Sequence, residues 1–440
     1  MTTGNLQTPA YVGDSPYELA VADAKRPIGT AELHKHIDRL LEQWVLKAGV
    51  ERLLLLPPDH TRLHSFAGEI TRHIWRSVSD RVSIDVMPAV GTHFAMSPAQ
   101  LHMMFGDEIP LERYKVHDWR NDLAELGEIP AEKLTELSGG RMEMPVNVAV
   151  NRRLVSGDYD QVLSIGQVLP HEVIGFANHA KNVCVGAGGA DLIHKSHYLG
   201  AVCNMETILG RADTPVRRLI DTAFYDFVRP RCDARFILTV VGGTGAEPGL
   251  HGLMAGQDRE CFRRAAELSA ELNISRLPKR IDRCVVHLDP REFSSTWLGN
   301  KSIYRTRMAM ADGGELYVLA PGIETFGEDP TIDELVRKHG YHGTPRTLDA
   351  VDSDPKLMAN LSAAAHLIHG STEGRFSVTY CTGDGLSRQE VEGVGYNHLP
   401  IREAQRRFDV SDKADGWHTD AAGEPFYFIN NPALGLWAAD

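Results

Sequence analysis

Short apolar runs that alternate with helical segments are the feature that most restricts the fold of this chain. The run at 52–56, Arg-Leu-Leu-Leu-Leu, is stopped by Pro57 and Pro58. Comparable strand-like runs lie at 82–91, 142–154, 160–168, 235–243, 283–290 and 308–322. Segments with apolar residues at helical spacing lie at 34–50, 66–78, 97–106 and 259–273. Such alternation is typical of parallel sheets covered by helices, so we predict an α/β fold.

The length of 440 residues exceeds what one hydrophobic core usually organises, which favours two domains. The segment 274–282 carries a proline and two arginines, and it separates two series of strands and helices. We therefore predict an N-terminal domain over 1–278 and a C-terminal domain over 279–440. Each is expected to hold a largely parallel sheet flanked by helices, with the active site in the cleft between the domains. The C-terminal tail could instead pack back on the first domain.

Charge and composition exclude several classes of protein. The net charge of -13 argues against nucleic acid as a partner, because phosphate binding needs a basic face. No apolar run reaches the length of a membrane span, and the N-terminus lacks the basic and apolar parts of a secretory signal. None of the six cysteines forms a CxxC pair, which disfavours a zinc knuckle or a redox dithiol. We predict a cytoplasmic protein that binds neither nucleic acid nor membrane.

Polar residues recur directly after the predicted strands. Asp59-His60-Thr61-Arg62 follows the run at 52–56, Thr92-His93 follows the run at 82–91, and His171 follows the run at 160–168. In open parallel sheets, ligands bind outside the carboxyl ends of the strands. The sequence therefore predicts a binding site at this edge.

The segment 171–197, HEVIGFANHAKNVCVGAGGADLIHKSH, is the most informative part of the chain. It holds His171, Lys181 ten residues later, and His197 sixteen residues after the lysine. A glycine-rich loop at 186–189 can bring backbone N–H groups close to a phosphate. The loop lacks the GK[ST] of a Walker motif, and its bunched glycines do not match a dinucleotide fingerprint. Two further histidines are interpreted as structural, His179 in a loop and His194 on a helix surface.

Three ordered blocks resemble the lactate racemase family: DHTR at 59–62, GTH at 91–93, and H-x3-GF-x4-K-x15-H at 171–197. The similarity extends from about residue 50 to about residue 330. It implies a nickel-pincer nucleotide, pyridinium-3-thioamide-5-thiocarboxylic acid mononucleotide, held covalently on Lys181. It also implies that His197 is a nickel ligand and that Asp59 contacts the cofactor. Imidazole and sulfur ligands suit nickel in a square-planar site.

The resemblance further implies a racemase or epimerase of 2-hydroxy acids, with His93 and His171 as the two acid/base groups. Arg62 and Lys301 match the cations that bind the substrate carboxylate. Hydride leaves C2 of the substrate and returns to the opposite face, which avoids removal of a weakly acidic proton. The implied partners are a small 2-hydroxy acid and the proteins that synthesise the cofactor.

The chain departs from the family where the substrate is expected to bind. The family's Tyr-Gln-x-x-Lys motif appears here as Trp297-Leu298-Gly299-Asn300-Lys301. The polar glutamine is lost, and a site built around a hydrogen bond discriminates strongly through that bond. We therefore predict a substrate larger than lactate: aryl, branched or polyhydroxylated. Leu63 replaces a proline after DHTR, and Asn178-His179 replace small residues.

Two other functions are compatible with parts of the sequence. A protein that carries the nickel nucleotide without turning over hydroxy acids is the first alternative, although a carrier needs neither His93 nor His171. A nicotinamide dehydrogenase is the second, and it is disfavoured because no GxGxxG follows a strand. Trp297 and Leu298 are also compatible with core positions.

Overall fold

The computed structural model describes residues 19–242 and 249–439, which divide into two compact units. The first unit holds the described residues up to 196 and those from 209 to 273. The second unit holds residues 197–208 and those from 274 onwards. The division after residue 273 falls at the start of the proline-bearing segment 274–282.

The first unit contains ten strands and most of eight helices among the described residues. Its strands are β1 (Leu19–Ala22), β2 (Arg52–Leu56), β3 (Ser83–Val86), β4 (Leu123–Ile129), β5 (Val146–Asn151), β6 (Gln161–Gln167), β7 (Pro170–His171), β8 (Gly175–Phe176), β9 (Ala234–Gly242) and β10 (Gly249–Gly256). Its helices are α1 (Thr30–Leu41), α2 (Ala67–Val78), α3 (Pro98–Phe105), α4 (Ala131–Ser138), α5 (Ala180–Cys184), α6 (Ala190–Val202, whose last turns belong to the second unit), α7 (Pro215–Thr222) and α8 (Arg259–Asn273).

The main sheet of this unit has the strand order β1-β10-β9-β6-β2-β3. Strands β3, β2, β6 and β9 are parallel, whereas β10 and β1 extend the sheet in antiparallel fashion. The parallel part confirms the predicted fold class. The antiparallel strands β1 and β10 were not among the predicted runs.

Local sequence explains the elements that carry the site. All four leucines of β2 are completely buried, as expected for a central parallel strand covered on both faces. Helix α3 begins where the sequence predicts it, because Ser97 and Gln100 form a capping box and Pro98 occupies the first turn. Helix α1 begins earlier than the predicted 34–50, and it ends in a wider π turn over Glu42–Leu46.

The second unit contains eight strands and eight further helices among its described residues. Its strands are β11 (Ile274–Leu277), β12 (Ile281–His287), β13 (Met310–Ala320), β14 (Ser377–Thr382), β15 (Asn397–Pro400), β16 (Gly416–Thr419), β17 (Pro425–Ile429) and β18 (Leu436–Ala439). Its helices are α9 (Thr296–Gly299), α10 (Lys301–Thr306), α11 (Pro330–His339), α12 (Thr344–Ser353), α13 (Pro355–Met358), α14 (Leu361–His369), α15 (Arg388–Gly393) and α16 (Ile401–Arg407), of which α9 is a single turn.

The main sheet of the second unit has the order β15-β14-β13-β12-β17-β16. All neighbours in it are parallel except β16, which pairs with β17 in antiparallel fashion. Strand β18 pairs with β11 in a separate parallel ribbon, so the C-terminal end packs within this unit. Across the described residues of both units, no helix combines the length and apolarity needed to cross a membrane.

Candidate active site

Three neighbouring parallel strands of the first unit end at the residues that the sequence singles out. In the order β6-β2-β3, the central strand β2 is followed by Asp59, β3 by His93, and β6 by His171. The carboxyl ends of parallel strands lie at one edge of a sheet, which is where ligands bind in open α/β folds. The fold therefore places these side chains at a common edge.

Asp59 and His93 form a directly bonded pair at this edge. One oxygen of Asp59, Oδ2, lies 2.7 Å from Nδ1 of His93, and Oδ1 accepts hydrogen bonds from the backbone and side chain of Thr61. Burial alone would raise the pKa of Asp59, but the hydrogen bonds from His93 and Thr61 outweigh it and hold the pKa below its usual value. An ionised carboxylate only accepts hydrogen bonds, so Nδ1 of His93 carries the proton. The exposed Nε2 is then free to act as a base.

His171 is held differently, in the short hairpin of β7 and β8. Its Nδ1 accepts a hydrogen bond from the backbone N–H of Val173 at 3.1 Å. The neutral ring therefore carries its proton on Nε2, the opposite tautomer to that of His93. The Oε2 atom of Glu172 lies 3.9 Å from the same Nδ1, close enough to stabilise the ring when it is protonated. The two neutral histidines thus carry their protons on opposite ring nitrogens.

Lys181 lies in the first turn of α5, and the next residue fixes that helix to the sheet. The side-chain amide of Asn182 donates to the carbonyl of Leu56 at 2.9 Å and to Oγ of Ser164 at 3.0 Å. These two partners belong to β2 and β6, so the helix is attached to the ends of the strands that carry Asp59 and His171. Lys181 itself is half-buried.

Burial lowers the pKa of Lys181 to about 8, and the positive charge of Arg62 acts in the same direction. Glu172 and Asp59 oppose this effect, and Arg217 adds to it. A lysine with a lowered pKa has a large fraction of neutral, nucleophilic amine near physiological pH. The site therefore presents an amine suited to covalent attachment.

The lowered pKa of Lys181 can be tested on the protein without any cofactor. An amine-selective reagent such as acetic anhydride should modify Lys181 with a half-maximal rate near pH 8, since only the neutral amine reacts. Lysines in model peptides have a pKa of about 10.4, so the reagent should modify surface lysines only at higher pH. Replacement of Arg62 by glutamine removes a cation and should move the Lys181 profile upward. Peptide mass spectrometry measures both profiles, and a Lys181 profile that coincides with the surface lysines would contradict the proposed environment.

The turn that leads into α5 has an unusual backbone. Asn178 and His179 both have positive φ, at 68° and 59°, in the region that side chains rarely adopt. The buried guanidinium of Arg217 donates to the carbonyls of Phe176 and Asn178 at 2.6 and 3.3 Å, which fixes this turn. The ring of His179 packs 4.0 Å from that of Phe236 and is completely buried. His179 therefore lies in a turn, as predicted, and its ring is a buried packing residue.

The structure also corrects the interpretation of the glycine-rich loop as a phosphate-binding element. It follows the helix α5, and the N–H groups of Gly186, Gly188 and Gly189 donate to backbone carbonyls within the protein. A Cβ atom at Gly188 would lie 1.8 Å from the carbonyl oxygen of Cys184, and one at Gly186 would lie 2.5 Å from that of Asn182. The glycines allow close backbone packing, and these three N–H groups are already used.

The remaining predicted site residues lie in the second unit or on α6. His197 and His194 are one turn apart on α6, and both are half-buried. Trp297, Leu298 and Lys301 are half-buried in the turn of α9 and α10, which excludes a fully buried core position for the first two. Among the described residues, no group of three or more His, Cys, Asp or Glu side chains is arranged to hold a metal ion.

Comparison with known families agrees with this arrangement. Residues 18–208 match the sequence model of the lactate racemase N-terminal domain. This part of the chain belongs to the lactate racemase N-terminal domain family. The match covers Asp59, His93, His171, Lys181 and His197, and it ends before the motif that holds Lys301. A racemase-family relationship is therefore established for the part of the chain that carries the lysine and both histidines.

Solved structures show the same fold over nearly the whole length of this chain. A protein from Thermotoga maritima superposes with a TM-score of 0.77 at 22% identity, over 94% of this chain and 99% of that chain. The lactate racemase apoprotein from Thermoanaerobacterium thermosaccharolyticum superposes with a TM-score of 0.69 at 16% identity, over 93% of each chain. At this identity the likeness establishes the two-domain α/β fold. No curated protein sequence matches the chain.

Three residues that support the site were not found from the sequence. Glu172 adjoins a predicted residue, but no spacing rule marks it as a charge partner. Asn182 follows the lysine and looks like an ordinary helix residue, although it makes the two bonds to the sheet. Arg217 lies thirty-six residues after Lys181 (217 − 181) in a helix that begins Pro-Val-Arg-Arg. Its role depends on a tertiary contact with a strained turn, which no local pattern predicts.

Proposed function

We propose that the protein is a racemase or epimerase of a 2-hydroxy acid larger than lactate, with a nickel-pincer nucleotide attached to Lys181. The observation that carries the proposal is the convergence of three groups at one edge of the first sheet: the Asp59–His93 pair, His171, and a lysine whose pKa is lowered. An amine for attachment and two histidines for proton transfer are the groups that such a reaction requires of the protein.

Proton transfer is the part of the reaction that this chain performs with its own side chains. His93 accepts the hydroxyl proton of the substrate at Nε2, while Asp59 holds Nδ1–H and stabilises the imidazolium that forms. His171 serves the other face, and the carboxylate of Glu172, with Oε2 3.9 Å from Nδ1, stabilises the charged form of the ring electrostatically. Arg62 is proposed to bind the substrate carboxylate, and Lys301 to be the second cation.

The residues present fit the implied cofactor. The neutral fraction of the Lys181 amine suits covalent attachment, and the imidazole of His197 on α6 is a suitable nickel donor. When bound, the nickel nucleotide would supply reversible acceptance of hydride from C2 of the substrate. Since the described residues hold no complete metal site of their own, the other donors would have to come from the nucleotide. The roles of His197, Lys301, Trp297 and Leu298 stay predictions.

The proposed role of His197 can be tested against that of His194, which lies on the same helix. His197→Ala should lower the nickel content of the protein expressed beside the cofactor-synthesis proteins, because it removes the metal donor. His194→Ala is the control, since His194 lies one turn earlier on α6 and is half-buried too. Metal analysis of the two purified variants measures the nickel content, and equal nickel loss in both would count against His197 as a specific ligand.

The proposed reaction is tested with a panel of 2-hydroxy acids deuterated at C2 and the cofactor-loaded enzyme. We expect inversion at C2 with deuterium retained in the product, because hydride is shuttled and does not exchange with water. Washout of the label would indicate proton abstraction instead. An adduct on Lys181 with no turnover of any acid would favour a carrier.

Specificity is expected to follow the departure at Trp297-Leu298. Lactate should be a poor substrate, and Leu298→Gln should shift preference back towards it by restoring a polar contact. A hydrogen bond is worth roughly 1 to 3 kcal/mol when its loss leaves a polar group unsatisfied, which corresponds to a shift of about ten- to a hundredfold. Steady-state kcat/KM for lactate and for the preferred acid measures the shift. Wild-type enzyme that racemises lactate as well as every larger acid would refute this specificity.

A further inference from the structure

The turn between α9 and α10 has two distinct sides within the second unit. Trp297, Leu298 and Lys301 are half-buried, whereas Gly299 and Asn300 between them are buried. The side chains assigned to the substrate therefore extend from a turn whose inner side is packed into the unit. What fixes that inner side also fixes the orientation of the outer side chains.

Asn300 is the centre of a buried hydrogen-bond network. Its Oδ1 accepts from the hydroxyl of Tyr380 at 2.7 Å, and the hydroxyl of Tyr396 lies 3.3 Å from the same oxygen. The Tyr396 hydroxyl also donates to the carbonyl of Gly370 at 2.8 Å. The side-chain amide of Asn300 faces Nε2 of His366 at 3.5 Å. A buried network with its members bonded to one another specifies one arrangement of side chains.

His366 connects this network to Trp297. Its ring lies against the indole with centroids 4.3 Å apart and planes inclined by 31°. Nε2 of His366 also lies 2.8 Å from the hydroxyl of Tyr341, and because the Asn300 amide can only donate, Nε2 is an acceptor. Burial lowers the pKa of His366 to about 3, so the ring stays neutral and keeps this arrangement at physiological pH.

The space around the network leaves little freedom for movement. Gly370 is so close that a Cβ atom there would lie 2.5 Å from Nδ2 of Asn300 and 2.5 Å from the ring of Tyr341. The rings of Tyr341 and Tyr396 stack with centroids 4.6 Å apart, and those of Tyr380 and Tyr396 with centroids 5.1 Å apart. Asn300 and His366 are thus held on several sides by rigid aromatic groups.

We propose that Asn300 and His366 are positioning residues, which hold the Trp297 indole in one orientation so that it selects 2-hydroxy acids with a large, flat side chain. The proposal rests on the proposed function, since it assigns the indole to the substrate side chain. A rigid indole stacks on a flat group without first losing freedom of its own, whereas the methyl group of lactate offers it little surface. Selectivity then depends on residues that do not touch the substrate.

The orientation of the indole is measured in the protein without cofactor by ¹⁹F NMR after incorporation of 5-fluorotryptophan. The chain has six tryptophans, and Trp297→Phe assigns the resonance of interest. Trp417, which is 39% exposed and lies in the same unit, is the internal control. In His366→Ala we expect the Trp297 resonance to shift or broaden while the Trp417 resonance stays in place. His366→Phe, which keeps a ring against the indole, should restore a narrow line.

Kinetics on the cofactor-loaded enzyme supply the second measurement. His366→Ala should lower kcat/KM for the preferred large acid about tenfold, as expected for the loss of one aromatic contact, and mainly through KM. The kcat/KM for lactate should change little, and His366→Phe should recover most of the loss. Gly370→Ala displaces Asn300 from the other side and should produce the same pattern if His366→Ala does not fold.

Two results would overturn the proposal. One is an unchanged Trp297 resonance in folded His366→Ala and Gly370→Ala, and the other is an equal loss of kcat/KM for the large acid and for lactate. Either would mean that the network stabilises the unit without orienting the indole. Failure of the proposed function is recognised separately, because wild-type enzyme would then turn over no hydroxy acid while the resonance still reports on the indole.

Discussion

Lys181→Ala is expected to abolish attachment of the nickel nucleotide completely. The proposed covalent bond needs the amine, and alanine offers no nucleophile in its place. Removal of a half-buried cation whose pKa is already lowered should leave the fold intact. Intact-mass measurement after expression beside the cofactor-synthesis proteins should show the adduct on the wild type and none on the variant.

Lys195→Ala is a suitable control for this experiment, because Lys195 lies on the next helix and pairs with Asp191. It should carry the adduct at the wild-type level. An adduct that persists on Lys181→Ala would show that the attachment site is wrong. Wild-type protein without any adduct would contradict both the racemase and the carrier hypotheses.

His93→Ala and His171→Ala should each lose most of the racemase activity, because each face of the substrate needs its own base. A single general base typically contributes about 10² to 10⁴ in rate, so losses of that size are expected in kcat. Intact mass should show that both variants retain the Lys181 adduct, which separates proton transfer from cofactor loading. Full activity in either variant would refute the two-base scheme.

The loss of racemase activity in Asp59→Asn should resemble that of His93→Ala more than that of His171→Ala. The amide can donate to Nδ1 of His93 and so favour the wrong tautomer, which moves the proton to Nε2 where the base is needed. Racemisation assays from each pure enantiomer should show losses comparable to those of His93→Ala. Unchanged rates from both enantiomers would mean that the Asp59–His93 pair has no part in proton transfer.

The strands and helices that follow hydrophobic periodicity were predictable from the sequence. The leucine run of β2 and the capped start of α3 depend on local residues, and both are where the pattern places them. The antiparallel strands β1 and β10 were missed, because their burial depends on a neighbour in the sheet and not on their own pattern. Helix α1 starts earlier than predicted, since its first three residues carry no buried apolar side chain that would mark them as part of the helix.

The candidate site was predictable as a set of residues and not as a set of contacts. Strand ends pointed to Asp59, His93 and His171, and the family resemblance pointed to Lys181. The fold places the first three after neighbouring parallel strands. The bond between Asp59 and His93 joins residues thirty-four positions apart, which no local pattern encodes. The lowered pKa of Lys181 depends on burial and on distant charges, and these exist only in the folded chain.

The tight packing of the glycine loop restricts how new activities can be obtained from this chain. At Gly186 and Gly188, any side chain would collide with the backbone of α5. Random mutagenesis at these two positions should therefore yield mostly misfolded or unattached protein, whatever the selection. The side chains at 297–298 are only half-buried, so a substitution there does not force a collision with the backbone. A library for new hydroxy acids should keep 186–189 constant and place its diversity at the indole and its neighbour.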